Sequence, residues 1–418
     1  MGKSRNRKGG VKFVDDSDDD TFSSTSSMGA SGSSEPTMAQ EAEKEVDEES
    51  VLDDYVDSLY EKRSSTREAG LKGLLNSFST RVMTDYVENK YATLAHQFLS
   101  SVRRGSSAEI VLASRALGML SITAGAGEVS EHVLKESLPH LARLSKLGST
   151  PAARVSTIEA LAILAFIGGV DVASTETAME TFWQILSHKG TVHADQTLGT
   201  NKPTPQVKAA AISAWTLLLT TLSSDKIALQ LSSNGSVLSS LLDVQDLGVR
   251  KATGEAVALL CEIGNDLDSM GMTEMQVVEQ MKALAIDSSR QQGQTKKERS
   301  EQRSTFREML ATIEEGVCPE TSIKFKHGDA LKVNTWTQTV QLNAFRRFLA
   351  EGFQKHMQEN GLLHEIFDFV PRGAKERTQG AKQKKQHMSV ADKMRTQQMN
   401  RKRSMAEAGR RFMNDDSD

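Results

Sequence analysis

Cysteine is nearly absent from this chain. Two occur in 418 residues, Cys261 and Cys318, and neither sits in a CxxC pair. That excludes a disulfide framework and a thiolate zinc site, and it suits a reducing compartment. Aromatic residues supply only 5% of the chain. No run of 18 consecutive apolar residues occurs, so no membrane-spanning helix and no membrane partner are expected. The N-terminus is polar and lacks the apolar core of a secretory signal. Catalytic signatures are missing as well. There is no GxxxxGK[ST], no GxGxxG following a strand pattern and no GxSxG. The nine histidines are scattered; only His193 and Asp195 stand close together, and that pair reads as a solvated loop rather than a metal site. Cys261, beside Leu259 and Leu260, reads as a small core residue. The expectation is therefore a protein that is not an enzyme, with no cofactor, no metal and no small-molecule substrate.

What the chain does have is a recurring pattern. Arg67-x-Ala69-x-Leu71-x-x-Leu74 is followed by Ala113-x-x-Ala116-Leu117-x-x-Leu120, and then by Arg154-x-x-x-Ile158-x-Ala160-Leu161-x-x-Leu164. Two more copies run from Val207 through Ala210, Ala214 and Trp215 to Leu218, and from Val249-Arg250 through Ala252 and Ala256 to Leu260. Ala116, Ala160, Ala214 and Ala256 are 44, 54 and 42 residues apart. That is the period of HEAT and armadillo units, each a small group of helices that buries its apolar face only by stacking on its neighbours. Helical periodicity starts near Val51, with Leu52, Tyr55, Val56 and Leu59 on one face. No segment alternates with period two over any length, so strands are not expected. The fold class read from this pattern is all-α: a HEAT/armadillo-like solenoid with a short C-terminal helical module and charged tails.

The divisions follow composition. Residues 1–48 form an acidic, Ser-rich tail, 49–315 the helical repeats, 316–371 a C-terminal helical module and 372–418 a basic tail. Residues 15–54 hold 14 acids against one lysine, whereas 372–413 hold 13 Lys and Arg against three acids, a net of +10. Such blocks belong to solvated segments and interaction tails. Within the repeats, Trp183 and Trp215 read as core anchors. Trp336 opens the apolar stripe of the C-terminal module, where it either packs inward or meets a partner. His356 and His364 flank that module, and His356 reads as a hydrogen-bonded structural residue or a partner contact.

The basic tail carries the strongest functional signal. Lys382, Lys384 and Lys385 make one cluster, Lys393 and Arg395 follow, Arg401, Lys402 and Arg403 make another, and Arg410 and Arg411 a last. Cations in this density bind RNA or DNA phosphates with strong salt dependence and without sequence selectivity. Residues 389–413 contain good helix formers but no apolar stripe, so a helix there forms against a partner. The alternative reading is a nuclear-import signal or a solubilising tail.

Several phrases are familiar. Residues 297–310, Ile323-Lys324-Phe325, 335–343, 352–360 and 363–367 resemble the interferon-related developmental regulator family, in family order. Residues 59–68 and 105–114 are similar to its plant-type members. The resemblance covers about residues 50–372. It implies a non-enzymatic regulator, cytoplasmic and nuclear, associated with binding the ribosome and restraining translation or with transcriptional co-regulation, and with no catalytic residues to carry over. Two functional expectations follow. In one, the solenoid docks on a ribonucleoprotein and the tail contacts RNA. In the other, the chain is a nuclear scaffold whose concave helical face captures transcriptional regulators.

Overall fold

The computed structural model describes residues 49–187, 202–223, 225–227, 235–263, 274–286, 295–325 and 329–371. Helix α1 spans 49–58. Then come α2 (Ser64–Thr80), α3 (Thr84–Arg104), α4 (Ser107–Ala124), α5 (Glu128–Leu147), α6 (Pro151–Gly168), α7 (Val172–Leu186) and α8 (Pro205–Leu219). Helices α9 (Gly235–Leu242), α10 (Leu247–Glu262), α11 (Glu274–Ile286) and α12 (Lys296–Glu315) complete the repeats. The chain continues through strands β1 (Thr321–Lys324) and β2 (Ala330–Val333) into α13 (Trp336–Leu349), α14 (Phe353–Glu359) and α15 (Gly361–Phe367).

Many of the helices begin where the sequence offers a side-chain acceptor to their first N–H groups. Ser106 and Glu109 close a reciprocal capping box on α4, and Thr295 and Glu298 do so on α12. Thr150 and Thr204 cap α6 and α8, each followed by a proline at the first helical position. Asp246 caps α10 and Thr335 caps α13. Gly316, at φ 68°, ends α12 in the left-handed conformation that glycine adopts without a steric penalty.

The even-numbered helices α2 to α12 pack on one another in sequence, and the odd-numbered ones form a second layer behind them. The repeated alanines explain this. Ala113, Ala116, Ala160, Ala214 and Ala256 are all buried in the even row, where a one-carbon side chain lets neighbouring helices approach. The recurrent arginines tie one unit to another. Arg67 on α2 binds Glu109 of α4 at 2.5 Å, Arg154 Nε donates to the Ser145 carbonyl of α5 at 3.0 Å, and Arg250 Nη2 donates to Gln302 of α12 at 2.9 Å. Trp183 and Trp215 are buried with ring centroids 5.2 Å apart, as core anchors. The all-α helical solenoid is thus what the period predicts.

One expectation changes and one is sharpened. Strands do occur: β1 and β2 pair antiparallel, Thr321 opposite Val333 and Lys324 opposite Ala330. Four residues per strand are too few to show a period of two, and Phe325, Leu331 and Val333 are buried only because this ribbon folds back onto the chain. Second, α4 and α6 are long and apolar enough, by length and composition, to cross a membrane. They are the middle of the even row, covered by neighbours on both sides and by the second layer behind, which is why they are apolar nearly all round.

Candidate functional site

The segment after the ribbon does not stand apart. It lies across the even row and meets the C-terminal end of one helix after another, in reverse order. At its start, Glu262, the last residue of α10, accepts from the Trp336 N–H and the Thr337 N–H, each at 2.8 Å. A carboxylate in the last turn of a helix opposes that helix's dipole, but here it caps the positive N-terminus of α13. Cys318 donates its thiol to the same carboxylate at 3.5 Å; burial, and then Glu262, push that thiol up. The Trp336 indole N–H donates to Thr312 Oγ1 of α12 at 2.8 Å.

Farther along, Gln341 donates to Thr220 Oγ1, the C-cap of α8, at 3.1 Å. Phe345 meets Phe166 of α6 edge-on at 5.7 Å. Phe348 lies against Gly118 of α4 so closely that a methyl group at residue 118 would overlap its ring. Beyond a kink at Ala350 (φ 49°), Gly352 packs on the backbone of Ser79 in α2. Between α6, α8, α10 and α13 remains a cavity of about 30 Å³, with Glu159, Glu255 and Arg347 on its walls. Arg347 Nη1 stands 4.0 Å from Glu159 Oε1. Burial raises both carboxyls above the usual range, and the guanidinium only partly offsets it.

The segment ends on a neutral hydrogen-bond chain. The Leu362 N–H donates to Asn360 Oδ1 at 2.9 Å, which fixes the amide orientation. Asn360 Nδ2 is then the donor to the Ile122 carbonyl at 2.9 Å and to His356 Nδ1 at 3.2 Å. His356 Nδ1 therefore accepts, its proton sits on Nε2, and Nε2 donates to the Phe78 carbonyl at 2.7 Å. Phe78 and Ile122 lie in the last turns of α2 and α4, where carbonyls have no partner within the helix. Burial lowers the His356 pKa and keeps the ring neutral. The ribbon covers this end: Phe325 packs against Phe353 and Phe369 at 6.4 and 5.3 Å.

This arrangement corrects the sequence reading at two residues. Trp336 and His356, offered as partner contacts, are 3% and 0% exposed, and their polar atoms are spent on Thr312 and Phe78. Along these contacts the even row is covered by the chain's own module. Lys382, Lys384, Lys385, Lys393, Arg395, Arg401, Lys402, Arg403, Arg410 and Arg411 lie outside the described residues, as do His193 and Asp195. Sequence reasoning missed Glu262, Gln341 and Asn360. Only Glu262 left a signal, an acid where a helix end disfavours one.

Comparison with known proteins agrees with the resemblance and extends it. The family model described as "Interferon-related developmental regulator" matches residues 21–314, and "Interferon-related protein conserved region" matches 360–407. The second runs well past residue 372, into the basic tail. Interferon-related developmental regulator 1 of Mus musculus is 29% identical over 366 residues, covering 85% of this chain and 81% of the relative. Interferon-related developmental regulator 2 of Mus musculus is 28% identical over 348 residues, covering 82% and 78%. Among solved structures, the crystal structure of an engineered protein aligns with 63% of this chain and 97% of its own at 15% identity and TM-score 0.40, too loose a likeness to add to the fold. With helical repeats, docked module and both matched regions in family order, the chain belongs to the interferon-related developmental regulator family, whose members regulate development and gene expression.

Proposed function

We propose that this chain regulates gene expression by holding RNA in a large ribonucleoprotein, the ribosome, and thereby restrains translation. The body is a rigid platform and the tail the RNA contact. One observation carries the reading: the conserved region, 360–407, begins at Asn360, which is pinned to Ile122, and continues without a break through Lys382 to Arg403. A docked anchor and a cationic run, 11 Lys and Arg against three acids over residues 372–407, thus fall within one family-matched region. Lys and Arg in that number neutralise phosphates and release counterions, giving affinity without base selectivity. The reading places the protein in the cytoplasm, where ribosomes translate, with the same tail serving entry to the nucleus.

The test deletes residues 372–418 and sediments lysate at low and moderate salt. Loss of ribosome co-sedimentation, with the intact chain's binding falling steeply as salt rises, supports the reading. Undiminished co-sedimentation overturns it. A truncated chain that instead leaves the nucleus yet captures the same transcriptional regulators would favour the co-regulator alternative.

A further inference from the structure

The row of helices ends at α12, and that helix sorts its charges. Glu298 closes the capping box on the Thr295 N–H at 2.8 Å, Glu301 pairs with Lys251 at 2.6 Å, and Glu314 pairs with Lys282 at 2.6 Å. Glu308 accepts from Ser304 at 3.3 Å. The cations are left over. Lys296, Arg299, Arg303 and Arg307 form no ion pair among the described residues. Arg299, Arg303 and Arg307 recur every fourth residue, so they follow one another along one face at steps of about 6 Å. Arg303 Nε is held on the Arg299 carbonyl at 3.4 Å, which steadies that guanidinium, and the Arg299 Nε is buried without a hydrogen-bond partner. Exposed Ser300 and Ser304 lie beside them and, with Arg303, Arg307 and Glu308, line an open hollow of about 460 Å³. No helix beyond α12 covers this face among the described elements. A solenoid end that needs only solubility carries mixed charge; this stripe sets three arginines against one acid, Glu308, at its edge.

We infer that the outer face of α12 is a second polyanion-docking surface and that its partner is the phosphate backbone of RNA. The inference rests on the RNA-associated reading above and adds a site to it. Evenly stepped guanidinium forks with hydroxyl donors between them suit a repeating line of phosphates. Nothing on this face could read bases, so binding is insensitive to sequence. The last docked helix before the tail is pinned to α2 and α4, at the other end of the row from α12. The α12 face and a tail joined to the body at the α2–α4 end engage one long RNA together, and each raises the effective concentration of the other.

The experiment measures binding of a labelled oligouridylate long enough to span the body, as a function of salt, with full-length chains. Four are compared: the natural chain, R303E/R307E, a chain with Lys384, Lys385, Arg401, Lys402 and Arg403 changed to alanine, and the combination. A K62E/K72E chain controls for net charge, R303Q/R307Q replaces the reversal should it fail to fold, and thermal melting reports folding. R303E/R307E is expected to bind roughly tenfold more weakly, with the salt slope shallower by about 1.4, since each single-strand phosphate left without its cation removes about 0.7. K62E/K72E is expected to match the natural chain. Natural affinity and slope in R303E/R307E, with binding lost in the tail variant, overturns this inference and leaves the functional reading standing. Loss in R303E/R307E with none in the tail variant does the reverse. A natural chain that holds no RNA overturns both. Displacement of the RNA by polyglutamate of matched charge as readily as by unlabelled RNA would make the face a dock for acidic protein and overturn the assignment.

Discussion

The two ends of the docked segment are held by opposite chemistry. At Trp336 the Glu262 carboxylate caps a helix N-terminus by accepting from two backbone N–H groups. At His356 and Asn360 neutral side-chain donors satisfy orphan carbonyls at helix C-termini. The first end is electrostatic, only partly buried and tolerant of water; the second is dry and depends on one tautomer. The contrast shows where the segment can be released. Protonation of the imidazole breaks the histidine end, because His356 Nδ1 then no longer accepts from Asn360.

The largest expected effect is at the dry end. His356→Ala removes a fully buried ring, strands the Phe78 carbonyl and frees Asn360, at a cost of roughly 4 kcal/mol. Hydrogen exchange is expected to speed up first in residues 353–367, with α4 and α6 still protected. Equal loss everywhere would mean the segment is not a separate unit.

Glu262→Ala comes next. It leaves the Trp336 and Thr337 N–H groups uncapped at a cost of about 2–3 kcal/mol. Fraying at 336–341 in exchange data should precede any change at 353–367. Combining the two substitutions tests whether the ends act independently: coupling between them appears as a departure from additivity.

Acid should act on the histidine end. The His356 pKa is lowered in the folded chain, so below about pH 6.5 the unfolded state takes up a proton that the folded state does not. Stability contributed by this group is full above that pH and falls, by at most about 1.4 kcal/mol per unit, until the folded-state pKa is reached. His356→Gln keeps a donor for Phe78 and is expected to flatten that part of the melting profile. An unchanged profile would contradict the neutral-imidazole assignment.

The smallest effect is of opposite sign. Glu255 is raised by burial, so its ionised form opposes folding at neutral pH. Glu255→Gln is expected to raise the melting temperature slightly at pH 7, with the gain shrinking as pH falls toward the ordinary carboxyl range. A loss at pH 7 would show that Arg347 outweighs desolvation there.

The even row was legible because its residues recur: Ala116, Ala160, Ala214 and Ala256 mark one structural position, and the even helices from α4 to α12 each start on a side-chain cap. The ribbon was not, since four-residue strands give no period. The docking was not legible either. Phe345, Phe348 and Phe353 advertise an apolar face, but nothing local says whether a partner or the chain itself covers it. That pairing joins Phe78 to His356 and Ile122 to Asn360, 278 and 238 residues apart, and a single chain carries no signal across such distances. Trp336 and His356 looked like contacts for a partner because they are contacts; the partner is the same molecule.

Everything rests on residues 336–367 occupying the inner face of the helical row in the free protein. Native-state hydrogen exchange on the full-length chain is the decisive measurement. Amides in the cores of α13 and α14 are expected to exchange on the slow timescale of α4 and α6. Exchange there as fast as in an isolated helix of that length, with α4 and α6 still protected, would refute the docked arrangement.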